Sequence, residues 1–491
     1  MFTPQAIKSI LPEILVLALG LLILIVEPFL KQDRRRATGW VTAAGLAISI
    51  VVCLVIGRPG EPTATLGGMV RFDWLGFFFK MLFMFAAAAT ALLIMEHETA
   101  GRRGEVYLLL LVSTIGMTLM ASAGDLVMLY LAMETASIPL YILAGFLVGD
   151  DKSTEAGLKY LLFGAFASAV TLYGFSIVFG LTGTTNFYEI AATLQSGDLS
   201  IGLSLAVIGL VLVGLGFKAA FAPFHFWAPD VYDGAPTPIA GFLSTASKAA
   251  GFAVVTRLFF VAFPHWSSSW TMVIAVLSAV TMTIGNLLAL PQTNIKRLLA
   301  YSSISHAGYV LIGVLAIPAA GSVWGFPQLG PASVVFYLAA YIMTNLLAFG
   351  VVMALSRLTG LIDLKDFSGL SRRSPWLALM MLAAFLSLAG MPPFAGFVAK
   401  VFVFAAGVQA GYVWLVVIGI LNSIIGVYYY LNALKYVYLF RMPEEDEDKH
   451  PVALPGAYVL VLAVLTIAVI LVGTVFAPWF AWSNAAAANL F

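Results

Sequence analysis

Runs of about 18–25 mostly apolar residues, each closed by a short polar break, recur along the whole chain, and that spacing predicts helices that cross a membrane. Fourteen such runs are centred near Leu19, Leu46, Met84, Thr114, Leu140, Ser168, Leu212, Gly251, Ala279, Ser305, Met343, Ser387, Ile424 and Leu465. Open sheets cannot satisfy their backbone in lipid, and the alternating strands of roughly ten residues that build a barrel are absent, so every span is read as helix and no strand is predicted. The first run, from about Ile10 to Leu30, is longer than the apolar core of a secretory signal and lacks a small-residue cleavage site. It is expected to remain as a span.

Composition removes the soluble alternatives. Of 491 residues, 61% are hydrophobic and 10% charged, with a mean hydropathy of +0.99. Such a chain is polytopic. With the N-terminus placed outside, the polar breaks that face inward collect most of the 25 Lys and Arg residues, including Arg34, Arg35, Arg36, Arg102, Arg103, Lys152, Lys159, Lys296, Arg297, Arg372 and Arg373. The outward breaks hold only Lys8, Arg58 and Arg71, and the long connections Thr182–Ser200 and Pro318–Pro331 hold none. This positive-inside bias predicts both termini outside. The acidic run Glu444–Asp448 falls in an inner loop and is read as solvated.

Lys218, Lys248, Lys400 and Glu134 lie deep within the apolar runs. A charge near the bilayer centre costs about 2.5–3.5 kcal/mol on insertion scales, and such groups face a protein interior or wet cavity. Three lysines and one carboxylate cannot neutralise one another as a static ion pair. Lys80 is closer to a span end, where it is expected to snorkel or pair with Asp73, and Arg257 and Lys159 read similarly as span-end charges.

Proline accompanies these charges. Pro139 follows Glu134 by five residues and Pro223 follows Lys218 by five, each freeing backbone polarity beside an ionisable group. Prolines at 223, 229, 236 and 238 break the seventh span, and Pro392-Pro393 breaks the twelfth just before Lys400. Paired broken helices point to an inverted-repeat transporter with its path near the midplane. The predicted organisation is three N-terminal spans over 1–104, a five-helix repeat over 105–263, an inverted five-helix repeat over 264–440, and a loop with the last span over 441–491. Lys218 and Lys400 are then counterparts, with His306 in the place that Glu134 holds in the first repeat. The expected relay runs from Glu134 and Lys218 through Lys248 and His306 to Lys400, with His225 as an additional candidate.

Other chemistry is excluded or weak. Gly214-Leu-Gly-Phe-Lys218 lies inside a span and matches no nucleotide fingerprint. The five histidines have no metal-ligand spacing, a haem held by His225 and His306 is disfavoured, and the single Cys53 rules out an internal disulfide or a cysteine-held iron–sulfur cluster.

Three segments carry a resemblance. They are Phe217-Lys-Ala-Ala-Phe-Ala-Pro-Phe-His-Phe-Trp-Ala-Pro-Asp-Val-Tyr-Asp-Gly-Ala-Pro-Thr-Pro238, Lys296-Arg-Leu-Leu-Ala-Tyr-Ser-Ser-Ile-Ser-His-Ala-Gly-Tyr309 and Gly390-Met-Pro-Pro-Phe-Ala-Gly-Phe-Val-Ala-Lys400. With them the chain resembles, over essentially its whole length, subunit N of the proton-pumping NADH:quinone oxidoreductase, respiratory complex I. The resemblance implies an antiporter-like all-α fold in which Glu134, Lys218, Lys248 and Lys400 occupy the proton-channel positions. It also implies that FMN, iron–sulfur clusters and quinone belong to partner subunits, with no cofactor on this chain. The expected partners are the neighbouring membrane subunits and, indirectly, the peripheral redox arm, in a bacterial cytoplasmic membrane. A subunit of an Mrp-type cation/proton antiporter is the alternative; a stand-alone symporter and a membrane anchor are the remaining classes.

Overall fold

A computed structural model describes residues 3–31, 35–196, 200–316, 328–359, 362–441, 454–488 and 490. The acidic run Glu444–Asp448, His450 and most of the connection Pro318–Pro331 lie outside the described residues. Within them, thirteen helices are long and apolar enough to span a membrane. In chain order they are Leu11–Phe29, Ala37–Ile56, Trp74–Met95, Gly104–Ser122, Leu126–Ala144, Asp151–Thr182, Ile201–Ala219, Thr237–Val261, Pro264–Ala289, Ile295–Leu315, Leu329–Arg357, Val413–Tyr438 and Gly456–Thr474. Two shorter apolar helices, Pro375–Ala389 and Ala395–Gln409, stand between Leu329–Arg357 and Val413–Tyr438 and together form one broken span. The protein is a multi-pass helical membrane protein, with fourteen spans among the described residues when the twelfth is counted in two pieces.

Polar residues at the breaks start the helices. Asp73 accepts from Gly76 N at 2.7 Å ahead of the third span, Asp125 from Val127 N at 2.7 Å ahead of the fifth, and Asn294 from Lys296 N at 2.9 Å ahead of the tenth. Each satisfies a backbone donor that lipid could not. Small residues then let spans approach: an added Cβ at Gly116 would strike the backbone of Ala136, so the fourth and fifth spans meet main chain to main chain there. Burial grades inward. The eighth span is wholly buried, the tenth, third and eleventh nearly so, while the first, second and sixth expose most of their surface. The embedded charges therefore sit on or beside central helices.

Three features depart from expectation. Thr63–Thr65 and Val70–Phe72 pair as a small antiparallel hairpin in register Thr63 with Phe72, where no strand was predicted; it lies in a polar connection where the apolar period is silent. The connection Thr182–Ser200 contains a helix, Phe187–Ser196. Beyond the fourteenth span the tail is also helical, Phe476–Ala488, and its Phe480 stacks on Phe402 at 3.8 Å.

The span-end charges pair differently from the sequence expectation. Asp73 binds Arg257, through Oδ2 to Nη1 at 2.6 Å and Oδ1 to Nη2 at 2.8 Å, and not Lys80. Lys80 instead lies 2.9 Å from Glu13 of the first span and donates to the Ser9 carbonyl at 2.7 Å. Both Asp73 oxygens are taken by the Arg257 guanidinium and the Gly76 N–H, so Lys80 finds its acceptors on the first span and the turn before it. Lys159 bridges Glu155 at 2.5 Å and Asp230 at 2.6 Å.

Candidate functional site

The seventh span stops at Ala219, turns through Ala220 at φ 53°, and resumes as the half-helix Trp227–Gly234. The twelfth does the same: Pro375–Ala389 ends at Gly390, φ 83°, and restarts at Ala395. Both breaks contain a cis proline peptide, Ala222-Pro223 and Pro392-Pro393. The capping patterns also agree. Ala220 N donates to the carbonyls of Gly216 and Phe217, and Gly390 N to those of Leu386 and Ser387.

The lysines are not in register across these breaks, and their ammonium groups find different partners. Lys218 is on the first half of its span, two residues before the break. Lys400 is on the second half, but its Nζ reaches back to the carbonyls of Leu388 at 3.2 Å and Ala389 at 3.0 Å, the last turn of the first half. Those carbonyls have no intrahelical partner and carry the negative end of the helix dipole, which favours a cation. The Lys400 ammonium also lies 4.9 Å from the centroid of the Tyr309 ring. Glycine at 390 suits both its φ and the Lys400 stem, which an added Cβ would meet at 2.8 Å.

The relay residues are joined by hydroxyls, not by direct ion pairs. Glu134, half-buried, accepts a hydrogen bond from Ser168 on the sixth span. Lys218 Nζ donates at 2.8 Å to Ser137, one turn beyond Glu134, and among the described residues no ion pair joins that lysine to the glutamate. Gly251 of the eighth span packs on the Lys218 stem, where an added Cβ would meet Cγ at 3.3 Å. One turn earlier, Lys248 donates to the Ser303 carbonyl at 2.6 Å and to its hydroxyl at 2.8 Å. Ser303 precedes His306 by one turn.

His306 is buried with both ring nitrogens against tyrosine hydroxyls, Nδ1 with Tyr337 at 2.7 Å and Nε2 with Tyr430 at 3.3 Å; Tyr430 in turn meets Ser302. A small cavity of about 10 Å³, room for a single water at most, is lined by His306, Tyr337, Tyr341, Thr344, Ser387 and Leu388, between the histidine and the carbonyl that holds Lys400. Beyond Lys400, the Tyr309 hydroxyl accepts from Asn286 at 3.1 Å, and Asn286 reaches Tyr429 and Asn422. His225 stands apart: it is buried in the seventh-span break, stacks on Phe226, and its Nδ1 has no hydrogen-bond partner among the described residues. The structure thus gathers Lys248, His306 and Lys400 around one polar centre and Glu134 with Lys218 around a second, without drawing His225 into either.

Sequence reasoning missed the neutral members, Ser137, Ser168, Ser303, Tyr337 and Tyr430, because serine and tyrosine are common in spans. Their signal was position: Ser137 is one turn from Glu134, and Ser302 and Ser303 one turn from His306. Lys296 was missed too. Taken as an inner-loop charge, it is buried and donates to the carbonyls of Asp233 at 2.5 Å and Ala235 at 2.8 Å, closing the end of the half-helix Trp227–Gly234. Asp230 on that half-helix also binds Arg297 at 2.8 Å, so basic residues of the sixth and tenth spans pin it in place.

The packing at Gly251 makes a direct prediction. Gly251→Leu should crowd the Lys218 stem and cost about 1–3 kcal/mol by overpacking. Translocation by the assembled protein should fall more than assembly does; equal loss of both would mean the contact is packing alone.

Comparison with known proteins gives the family. Residues 123–426 match the family model described as NADH:quinone oxidoreductase/Mrp antiporter, TM. NADH-quinone oxidoreductase subunit N of Moorella thermoacetica is 44% identical over 461 residues, 94% of each chain, and that of Trichlorobacter lovleyi is 41% identical over 470 residues. A chain of respiratory complex I from Thermus thermophilus superposes with TM-score 0.79 at 33% identity, covering 96% of this chain and 98% of that one. A chain of the Mrp complex from Dietzia sp. DQ12-45-1b has TM-score 0.85 at 21% identity, a likeness of fold alone. Identity on this scale across nearly the full length assigns the chain: it belongs to the family of subunit N of NADH-quinone oxidoreductase.

Proposed function

We propose that this chain is the antiporter-like membrane subunit that moves protons while other subunits carry electrons from NADH to quinone. The observation that carries the reading is the pair Lys248 and Lys400, two buried ammonium groups whose hydrogen-bond partners are hydroxyl and carbonyl oxygens. A lysine held this way keeps its proton only while its surroundings favour the charge, so a change of field or hydration can discharge it. Glu134 and Lys218 act through Ser137 and Ser168 as the first station. Lys248 and His306 form the middle and Lys400 the last, with His225 beside the first break as a lesser participant. The two five-helix units, 105–263 and 264–440, supply one station each around the centre, framed by 1–104 and 441–491.

The same reading places FMN, iron–sulfur clusters and quinone in partner subunits, and the chain in a bacterial cytoplasmic membrane with both termini outside. Purification in mild detergent through a tag on this chain tests it. Iron–sulfur paramagnetic signals and NADH:quinone activity should co-purify. An intact multi-subunit membrane assembly with neither would favour the Mrp-type antiporter instead.

A further inference from the structure

The second span, Ala37–Ile56, and the fourteenth, Gly456–Thr474, both pack on the third, and an apolar slot of about 310 Å³ stays open between them. Trp40, Ala44 and Ala47 line one side, Ala88 of the third span lies at its floor, and Leu460 and Val464 line the other side. The alanines create the space, since larger side chains at 44, 47 and 88 would fill it. Ala44, Ala47, Leu460 and Val464 are exposed, so the described residues leave the slot open to the membrane.

Its dimensions match one leaflet. Trp40 to Ile50 is about 15 Å of helix at 1.5 Å per residue, half of a hydrocarbon core roughly 30 Å thick. Trp40 stands in the first turn of its span, the level at which indole rings anchor to the interface. A second apolar cavity of about 180 Å³ begins at the shared residues Ile50 and Phe85 and runs on to Trp479 and Trp482 of the tail helix, so the first slot ends where the other leaflet begins. A helix about 10 Å across would need roughly 1,200 Å³ over that length, far more than the slot offers. A single hydrocarbon chain fits it.

The mouth at Trp40 carries unbalanced positive charge. Arg36, one turn before Trp40 and one third exposed, has its Nη1 3.9 Å from Glu96 Oε2, but that oxygen already takes Arg357 Nη1 at 3.0 Å. Two guanidinium groups thus share one carboxylate, and the Arg36 Nε has no hydrogen-bond partner among the described residues. Arg35 beside it is balanced by Glu27 at 3.4 Å, and Lys31 is exposed. Planar donors above an apolar slot suit the two ends of one molecule, a phosphate and its hydrocarbon tail. Hydrocarbon gains little by leaving bulk lipid, so the charge supplies the preference.

We propose that this slot binds one acyl chain of an anionic phospholipid whose phosphate rests on Arg36, in the cytoplasmic leaflet by the topology proposed above. The bound chain fills the gap over the third span and ties the second span to the fourteenth, which are far apart in sequence.

The test uses the whole complex in phosphatidylcholine vesicles containing a phosphatidylglycerol whose acyl chain carries a photoreactive diazirine. Irradiation should place adducts on the peptides that hold residues 44–47 and 460–464; unlabelled phosphatidylglycerol should compete for them and added phosphatidylcholine should not. Arg36→Gln should lower this labelling about fivefold, the share of one basic residue at an anionic surface. Ala47→Trp should fill the slot and abolish these adducts, while those on the exposed first span persist. Labelling that is absent from these peptides, that ignores both substitutions, or that phosphatidylcholine displaces equally well overturns the site. A benzophenone side chain in place of Ala47 that cross-links to a neighbouring subunit overturns it too, by showing a protein segment in the slot.

Discussion

Lys400→Ala is expected to reduce proton uptake per NADH oxidised by at least about a hundredfold in the steps that pass this residue, the scale on which a placed proton-transfer group acts. Assembly should be retained. The side chain is buried and its ammonium is held by the Leu388 and Ala389 carbonyls and the Tyr309 ring, with no carboxylate to be stranded by its removal. Truncation empties the volume of the lysine stem beside the small cavity that His306 lines, which makes room for a water to replace the lost donor. Lys400→Arg should not rescue: a guanidinium keeps the charge but does not release its proton under working conditions, which separates proton exchange from charge. Uptake at the parent rate in assembled Lys400→Ala complex would show that the last station is elsewhere.

How far the sequence reaches toward this picture depends on which physical rule each feature obeys. The spans were legible because lipid demands uninterrupted apolar helix, and the broken twelfth was legible because Pro392-Pro393 sits inside one. Lys248, Lys400 and Glu134 were legible because a charge in an apolar run is expensive enough to require a reason. What connects them was not. Ser137 and Ser303 make their bonds across helices that are adjacent only after folding, at separations of 81 and 55 residues from Lys218 and Lys248. The partners of Asp73 and Lys80 were misread for the same reason: two residues near in sequence were paired, when the partner of each comes from another span, Arg257 for Asp73 and Glu13 for Lys80. The hairpin at Thr63–Phe72 escaped because a short polar connection carries no period to count.

The Arg257–Asp73 pair is where stability, as distinct from transport, should be most sensitive. Both groups are buried, and the guanidinium binds both carboxylate oxygens while its Nε donates to the Ala121 carbonyl at 3.0 Å. One side chain of the eighth span thus holds the start of the third and the end of the fourth. Removing a single partner from such a site leaves an uncompensated buried charge, which costs about 3–5 kcal/mol. Arg257→Ala is therefore expected to lower the thermal midpoint of the complex sharply and to reduce the amount of this chain that assembles. Arg257→Lys should rescue little, because an ammonium cannot make the bidentate contact and the Ala121 bond at once. The double variant Arg257→Leu with Asp73→Asn should recover much of the loss: no charge remains, and asparagine can still cap the third span as Asp73 does through Gly76 N. If Arg257→Ala assembles with an unchanged midpoint, the pair does not hold these three spans together; if the double variant is as poor as the single, their union depends on the ion pair itself and not on avoiding an unpaired charge.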